Sequence, residues 1–146
     1  MRLYLDMCCF KRPFDDQRDE RIRREAEAVA VLVARAERGD FDLVRSPALL
    51  VENDRNPRED RRIAAALWID GAAVDVPLSP AVEARAREFN ELGFAPMDAL
   101  HVAFAEASGA ARFVTCDDRL VFLGARHREQ LKLPIVNPVD VVPTEE

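Results

Sequence analysis

Leu3-Tyr4-Leu5-Asp6, close to the start of the chain, places three apolar residues directly before a carboxylate. A short apolar run that contains β-favouring Tyr4 predicts a buried central strand of a parallel sheet. Asp6 then stands at the carboxyl end of this strand, the edge where open α/β sheets bind ligands. A desolvated carboxylate is costly there unless it is paired or binds a metal ion. This stretch therefore predicts an α/β fold and the place of a candidate site.

The rest of the chain alternates between helical and strand patterns. Further strands are predicted at 41–44, 73–76, 112–115 and 133–136, and Cys8 and Cys9 are expected to extend the first strand. A long helix is predicted over 19–38, and another over 58–69 with Ile63 and Leu67 facing inward. Right-handed β-α-β units give a three-layer α/β/α sandwich with a mostly parallel five-stranded sheet. We expect one domain at 1–140 and a frayed tail at 141–146.

Composition narrows the class of protein. The 146 residues suit one domain, and the 49% hydrophobic content indicates a globular protein. The apolar stretches are too short to span a membrane, and no export signal is visible, so a cytoplasmic location is expected. A net charge of −6 argues against binding nucleic acid through bulk positive potential. All basic residues except Lys11 and Lys132 are arginines, which codon bias explains better than phosphate binding.

The cysteines and histidines suggest no separate chemistry. Cys8 and Cys9 are adjacent, Cys116 is distant in sequence, and their spacing matches neither a disulfide nor a zinc motif. We interpret all three as reduced, small, buried residues. Neither histidine has a position that pairs with a cysteine nucleophile, and we expect His101 to be structural.

Four acidic residues are compatible with one edge of the sheet. Asp6 and Asp117 follow predicted strands, Glu52 lies early in a helix, and Asp98 begins another helix. Four such carboxylates cannot all stay ionised without cations, because each raises the pKa of the others. Oxygen ligands suit Mg²⁺ or Mn²⁺, which can activate water and neutralise charge on a phosphodiester oxygen. Hydrolysis of a nucleic-acid backbone is therefore the natural reaction class, and no glycine-rich phosphate loop suggests a competing one.

The ordered set Leu3-Tyr4-Leu5-Asp6, Glu52, Met97-Asp98-Ala99-Leu100-His101 and Val114-Thr115-Cys116-Asp117 resembles the PIN-domain ribonucleases, especially toxins of the VapC type. This resemblance implies an Mg²⁺- or Mn²⁺-dependent endoribonuclease. Asp6, Asp98 and Asp117 would bind the metal, and Glu52 would complete its shell or orient the attacking water. Asp118 would be an auxiliary acid.

The resemblance also implies partners. The protein would be the toxin of a toxin–antitoxin pair and a homodimer, and a small antitoxin would insert a segment into a groove near the active site. The partner side would comprise 22–33 and 49–68. Arg12, Arg18 and Arg119 flank the predicted sheet edge and are candidates to bind RNA phosphates.

One position departs from the family pattern. Family members usually carry Thr-Asn after the first acid, whereas this chain has Met7-Cys8. A thiol hydrogen-bonds less well than the amide of Asn. The activity is then lower, or Asp15, Asp16 or Thr115 supplies the missing polarity. Thr115 stands where the family often has a hydroxyl that orients a carboxylate.

Two other functions remain open. One is a PIN-like module that binds RNA or protein without catalysis, although the retained acids Glu52, Asp98 and Asp117 argue against it. The other is a phosphatase or phosphotransferase that uses Asp6 as a covalent nucleophile. That chemistry requires a second acid two residues later, where this chain has Cys8.

Overall fold

The structure, a computed structural model, describes residues 1–141, so 142–146 of the predicted tail lie outside the described residues. Five parallel strands form one sheet in the order β3-β2-β1-β4-β5. They are β1 (Arg2–Leu5), β2 (Asp42–Arg45), β3 (Val74–Asp75), β4 (Arg112–Val114) and β5 (Ile135–Val136). Because β1 continues to β2 on one side and pairs with β4 on the other, the carboxyl end of β1 is a topological switch point.

Helices connect and cover the strands. They are α1 (Met7–Lys11), α2 (Glu20–Glu37), α3 (Pro47–Asp54), α4 (Glu59–Asp70), α5 (Pro80–Glu91), α6 (Pro96–Ala107), α7 (Asp118–Arg126) and α8 (Pro138–Val141), with 3₁₀ turns at Arg12–Phe14 and Arg128–Gln130. Leu3, Tyr4 and Leu5 are almost completely buried although they point to alternate faces, so both faces of the central strand are covered. The predicted fold class is confirmed, with an all-parallel sheet.

Local sequence signals fix where the helices begin and end. The side chains of Asp19, Ser46 and Ser79 accept hydrogen bonds from the backbone N–H groups three residues later, which caps α2, α3 and α5. Proline occupies the first position of α3 and α5. Gly39, just after α2, has a φ of 92°, a conformation that favours glycine. None of the helices within 1–141 is both long and apolar enough to cross a membrane.

Two sequence predictions about these elements are wrong. Cys8 and Cys9 do not extend β1, because the Asp6 carboxylate accepts a hydrogen bond from the Met7 backbone N–H at 2.8 Å and starts α1 there. In α4, Ile63 and Leu67 face solvent with 52% and 69% exposure. The buried α4 residues are Ala65 and Ile69. Apolar residues lie all around this helix, so periodicity alone could not identify its inner face.

The packing of α7 against β5 depends on the absence of a side chain at Gly124. A Cβ atom there would lie 2.7 Å from Cβ of Ile135. We expect Gly124→Ala to lower the free energy of unfolding by about 1–3 kcal/mol through overpacking, despite the better helix propensity of alanine. Urea denaturation measures this change.

Gly71→Ala is the matched control, because its Cβ would meet only backbone oxygens at 3.5 and 3.6 Å. Its free energy of unfolding should stay close to that of the wild type. A Gly124→Ala protein as stable as the Gly71→Ala protein would contradict the predicted close packing.

Candidate metal centre and active site

Asp6 is buried at the carboxyl end of β1, with 6% of its surface exposed. One oxygen, Oδ1, accepts the hydrogen bond from Met7 N, and the other, Oδ2, accepts one from Thr115 Oγ1 at 2.9 Å. The Cys8 thiol also donates to Oδ2, at 3.5 Å. Burial, the neighbouring Cys8 and the charge of Glu52 raise the pKa of Asp6 to about 7, although His101 and Thr115 oppose this shift.

Thr115 connects Asp6 to the end of β4. Its side chain is completely buried, and its hydroxyl donates to Asp6 while accepting a hydrogen bond from the Asp117 backbone N–H at 3.1 Å. The Cys8 sulfur lies 3.2 Å from the same hydroxyl. Thr115 thus supplies a polar hydroxyl next to Cys8, in the Met7-Cys8 segment that departs from the family pattern. Asp15 and Asp16 do not, since they pair with Arg12 and Arg18.

Glu52 reaches the site from α3 and is held by a histidine of α6. Its Oε1 lies 2.7 Å from Nε2 of His101, and the same nitrogen lies 4.0 Å from Oδ1 of Asp6. On the other side of the ring, Nδ1 is 2.6 Å from the Tyr4 hydroxyl, which is 2.6 Å from Ser46 Oγ. With His101 neutral and protonated at Nε2, Ser46 donates to Tyr4, Tyr4 to His101, and His101 to Glu52. This buried chain fixes the position of the Glu52 carboxylate.

Glu52 and His101 each favour the charged form of the other. Burial raises the pKa of Glu52, but the His101 hydrogen bond and the charges of His101, Lys11 and Arg55 lower it below its ordinary value overall. Burial lowers the pKa of His101, but the Glu52 hydrogen bond and the charges of Asp6, Glu52 and Asp98 raise it overall. Glu52 therefore stays ionised more readily than Asp6 or Asp98, whose pKa values are raised.

Asp98 lies in the first turn of α6, one turn before His101. Burial, together with repulsion from Asp6 and Asp117, raises the pKa of Asp98 to about 6. Asp117 is exposed and caps α7, accepting hydrogen bonds from the backbone N–H groups of Arg119 at 2.9 Å and Leu120 at 3.4 Å. The structure thus brings all four predicted acids to one edge of the sheet.

These four acids differ from the buried acids Glu25 and Glu106 in having no arginine or lysine partner among the described residues. His101, however, contacts Glu52 at 2.7 Å and lies 4.0 Å from Asp6. Glu25 and Glu106 have side chains only 2% and 3% exposed, and arginines pair with both of them. Within 1–141, no lysine or arginine forms an ion pair with Asp6, Glu52, Asp98 or Asp117. This distinction marks the sheet edge as a site suited to an external cation.

The other predicted site residues lie in different surroundings. Asp118 forms two hydrogen bonds of 2.7 Å with Arg21, on the side of α2. Arg12 pairs with Asp15 and Glu25, and exposed Arg18 pairs with Asp16. Arg119 is exposed next to Asp117.

Sequence reasoning undervalued His101. Its Nε2 lies within 4.8 Å of carboxylate oxygens of both Asp6 and Glu52, so these three residues could hold a metal ion together once Nε2 loses its proton and its hydrogen bond to Glu52. The spacing of three between Asp98 and His101 was the available signal, because it places both on one face of α6. Two carboxylates and an imidazole, with Asp98 nearby, fit Mn²⁺ well and also accommodate Mg²⁺.

Comparison with solved structures identifies the fold as PIN-like, as predicted. FitAcB from Neisseria gonorrhoeae matches with a TM-score of 0.54 and 15% identity, over 93% of this chain and 97% of that chain. VapBC2 from Rickettsia felis, solved bound to a DNA fragment from its promoter, matches with a TM-score of 0.56 and 13% identity, over 94% of this chain and 98% of that chain. At such identities the likeness shows the fold alone. No protein family and no curated protein matches the sequence.

The raised pKa of Asp98 predicts how stability depends on pH. Because the folded protein holds this proton more tightly than the unfolded chain, ionisation of Asp98 costs stability as the pH rises from about 4 through about 6. Asp98→Asn removes this cost. In the metal-free protein it should raise the free energy of unfolding by about 1–2 kcal/mol at pH 8, allowing for solvent screening, and by much less at pH 4.5.

Asp60→Asn is the matched control, since Asp60 is an exposed acid in the first turn of α4. Its effect on urea denaturation should be small and equal at both pH values. If Asp98→Asn destabilises the metal-free protein at pH 8, the proposed repulsion among the acids is absent.

Proposed function

We propose that this protein is an Mg²⁺- or Mn²⁺-dependent endoribonuclease and the toxin of a toxin–antitoxin pair. The observation that carries the proposal is the convergence of Asp6, Glu52 and Asp98 at one sheet edge, where no arginine or lysine of the described residues pairs with them and their charges repel. Such a site lowers the stability of the folded protein when it is empty, and binding of a hard cation restores that stability. The PIN-like fold and the resemblance to VapC-type toxins support RNA as the substrate.

The residues have distinct roles in this proposal. Asp6, Asp98 and Asp117 bind the cation, and Thr115 holds Asp6 in place through its 2.9 Å hydrogen bond. A bound cation supplies Lewis acidity and lowers the pKa of a water molecule. Glu52, fixed by His101, would orient an attacking water molecule and accept its proton. Arg119 is the best placed of the predicted arginines to contact an RNA phosphate, because it is exposed beside Asp117.

A binding module without catalysis is the second candidate. The Met7-Cys8 departure favours it, since the Cys8 thiol is a weak hydrogen-bond donor at 3.5 Å from Asp6. However, Thr115 already donates to the same oxygen of Asp6. A protein without catalysis would also gain stability by losing one of the repelling acids, so we favour the nuclease.

Two apolar surfaces suit the partners that the resemblance implies. A cleft between α2 and α4 is lined by Val33, Ala36, Phe41, Leu67 and Trp68. It lies at the amino end of β2, on the opposite edge of the sheet from the acids, so we assign it to a part of the antitoxin other than the segment expected near the active site. A groove formed by Pro47, Val51, Leu78, Met97, Leu100 and Phe104 is assigned to a second copy of this chain. Light scattering should show two copies of the chain alone and a larger complex with the antitoxin. A monomer that binds no antitoxin would contradict both assignments.

The nuclease proposal is tested with purified protein and a pool of structured RNAs, in the presence of Mg²⁺, Mn²⁺ or a chelator. We expect cleavage only with a divalent ion. The cleavage rate should fall at least about 100-fold in Asp6→Asn and in Asp98→Asn, which is the usual effect of removing one preorganised group that stabilises charge in the transition state. Gel analysis of the RNA fragments measures both effects.

Asp60→Asn serves as the control and should cleave like the wild type, because Asp60 is an exposed acid in the first turn of α4 and is none of the proposed site residues. RNA that stays intact in every reaction, with the protein shown to be folded, would favour the binding module. Equal cleavage by Asp98→Asn and the wild type would contradict the proposed site.

A further inference from the structure

The three cysteines, separated in sequence, meet in the folded protein. Cys8 and Cys9 lie in α1, directly after β1, and Cys116 follows β4, the neighbouring parallel strand. Since Leu5 pairs with Val114, the residues that follow the two strands are brought together. All three sulfur atoms lie within 4.8 Å of one another, and none of the cysteines is in a disulfide.

This arrangement is close to that of a three-coordinate metal site. A metal–sulfur bond of about 2.3 Å in a flat trigonal site places the sulfur atoms about 4.0 Å apart. The cysteine side chains therefore need to move by less than about 1 Å to surround an ion, a change that rotation about their χ1 angles can supply.

The surroundings suit a bound ion. Cys9 and Cys116 are buried, whereas Cys8 is partly exposed and offers a route of entry. The Cys116 backbone N–H donates to the Cys8 sulfur at 3.3 Å, a contact that stabilises an anionic sulfur. Arg21 lies against this segment, because its Nη2 donates to the Cys116 carbonyl oxygen at 3.1 Å.

We propose that Cys8, Cys9 and Cys116 form a trigonal binding site for a thiophilic ion, such as Cd²⁺ or trivalent arsenic. Three thiols give strong bonds to soft ions and little affinity for Mg²⁺, so this site differs in selectivity from the neighbouring carboxylates. Binding of Cd²⁺ forms three Cd–S bonds and releases three thiol protons. Arsenite exchanges three As–OH bonds for three As–S bonds and releases three water molecules. Neither reaction changes an oxidation state.

The thiol site contacts the proposed nuclease site through the Cys8 sulfur. The Cys8 sulfur lies 3.5 Å from Oδ2 of Asp6 and 3.2 Å from Oγ1 of Thr115. An ion bound by the three sulfurs draws Cys8 away from both contacts. Asp6 then loses the hydrogen bond from the Cys8 thiol. Occupancy of the thiol site should therefore inhibit RNA cleavage, a consequence that rests on the proposed function, whereas ion binding itself does not.

Titration of the reduced full-length chain with Cd²⁺ tests the site, read out by the ultraviolet charge-transfer absorption of Cd–thiolate bonds. We expect saturation at one equivalent, and at least about tenfold weaker binding in Cys9→Ala and in Cys116→Ala. Asp98→Asn is the control and should bind like the wild type, because it changes only the carboxylates. Circular dichroism establishes that each variant is folded, and arsenite should protect the same three thiols from alkylation.

The outcomes separate the two proposals. Absence of the charge-transfer band, or an undiminished band in folded Cys116→Ala, overturns the thiol site whatever the nuclease assay shows. A band that disappears in the cysteine variants supports the thiol site even if no RNA is cleaved, in which case only the proposed function fails.

Discussion

The structure depends on how the buried carboxylate of Asp6 is held where β1 ends. Its oxygens accept hydrogen bonds from the Met7 backbone N–H and the Thr115 hydroxyl, no lysine or arginine within 1–141 pairs with it, and Nε2 of His101 lies 4.0 Å away. The same hydrogen bond from Met7 starts α1, so the acid that defines the site also ends the strand. Burial of an acid without a counter-charge is unfavourable, and a divalent cation relieves that cost.

The parallel sheet explains why the other acids gather around Asp6. The carboxyl ends of β1 and β4 are adjacent, which brings Thr115 and Asp117 beside Asp6. Glu52 arrives from α3 and is fixed by His101, which in turn is held by Tyr4 inside the core. A rigid chain of buried hydrogen bonds thus connects the central strand to the residue proposed to orient water.

Sequence patterns predicted the order of strands and helices because apolar runs, Ser-Pro caps and glycines act locally. The sheet edge of Asp6 and Asp117 also followed, since it depends only on strand ends. Contacts across the fold were harder: the bond between His101 and Glu52 joins residues far apart in sequence, and so does the meeting of Cys116 with Cys8. The prediction of the inner face of α4 was wrong, because apolar residues of α4 lie on all sides of that helix.

Anomalous diffraction from crystals grown with Mn²⁺ tests most directly whether the four acids form a metal centre. A Mn²⁺ peak bounded by the side chains of Asp6, Asp98 and Asp117 is the predicted result, and it should be absent from crystals of Asp98→Asn. An ordered sheet edge without a peak, or a peak only at surface acids such as Asp60, would contradict the metal centre.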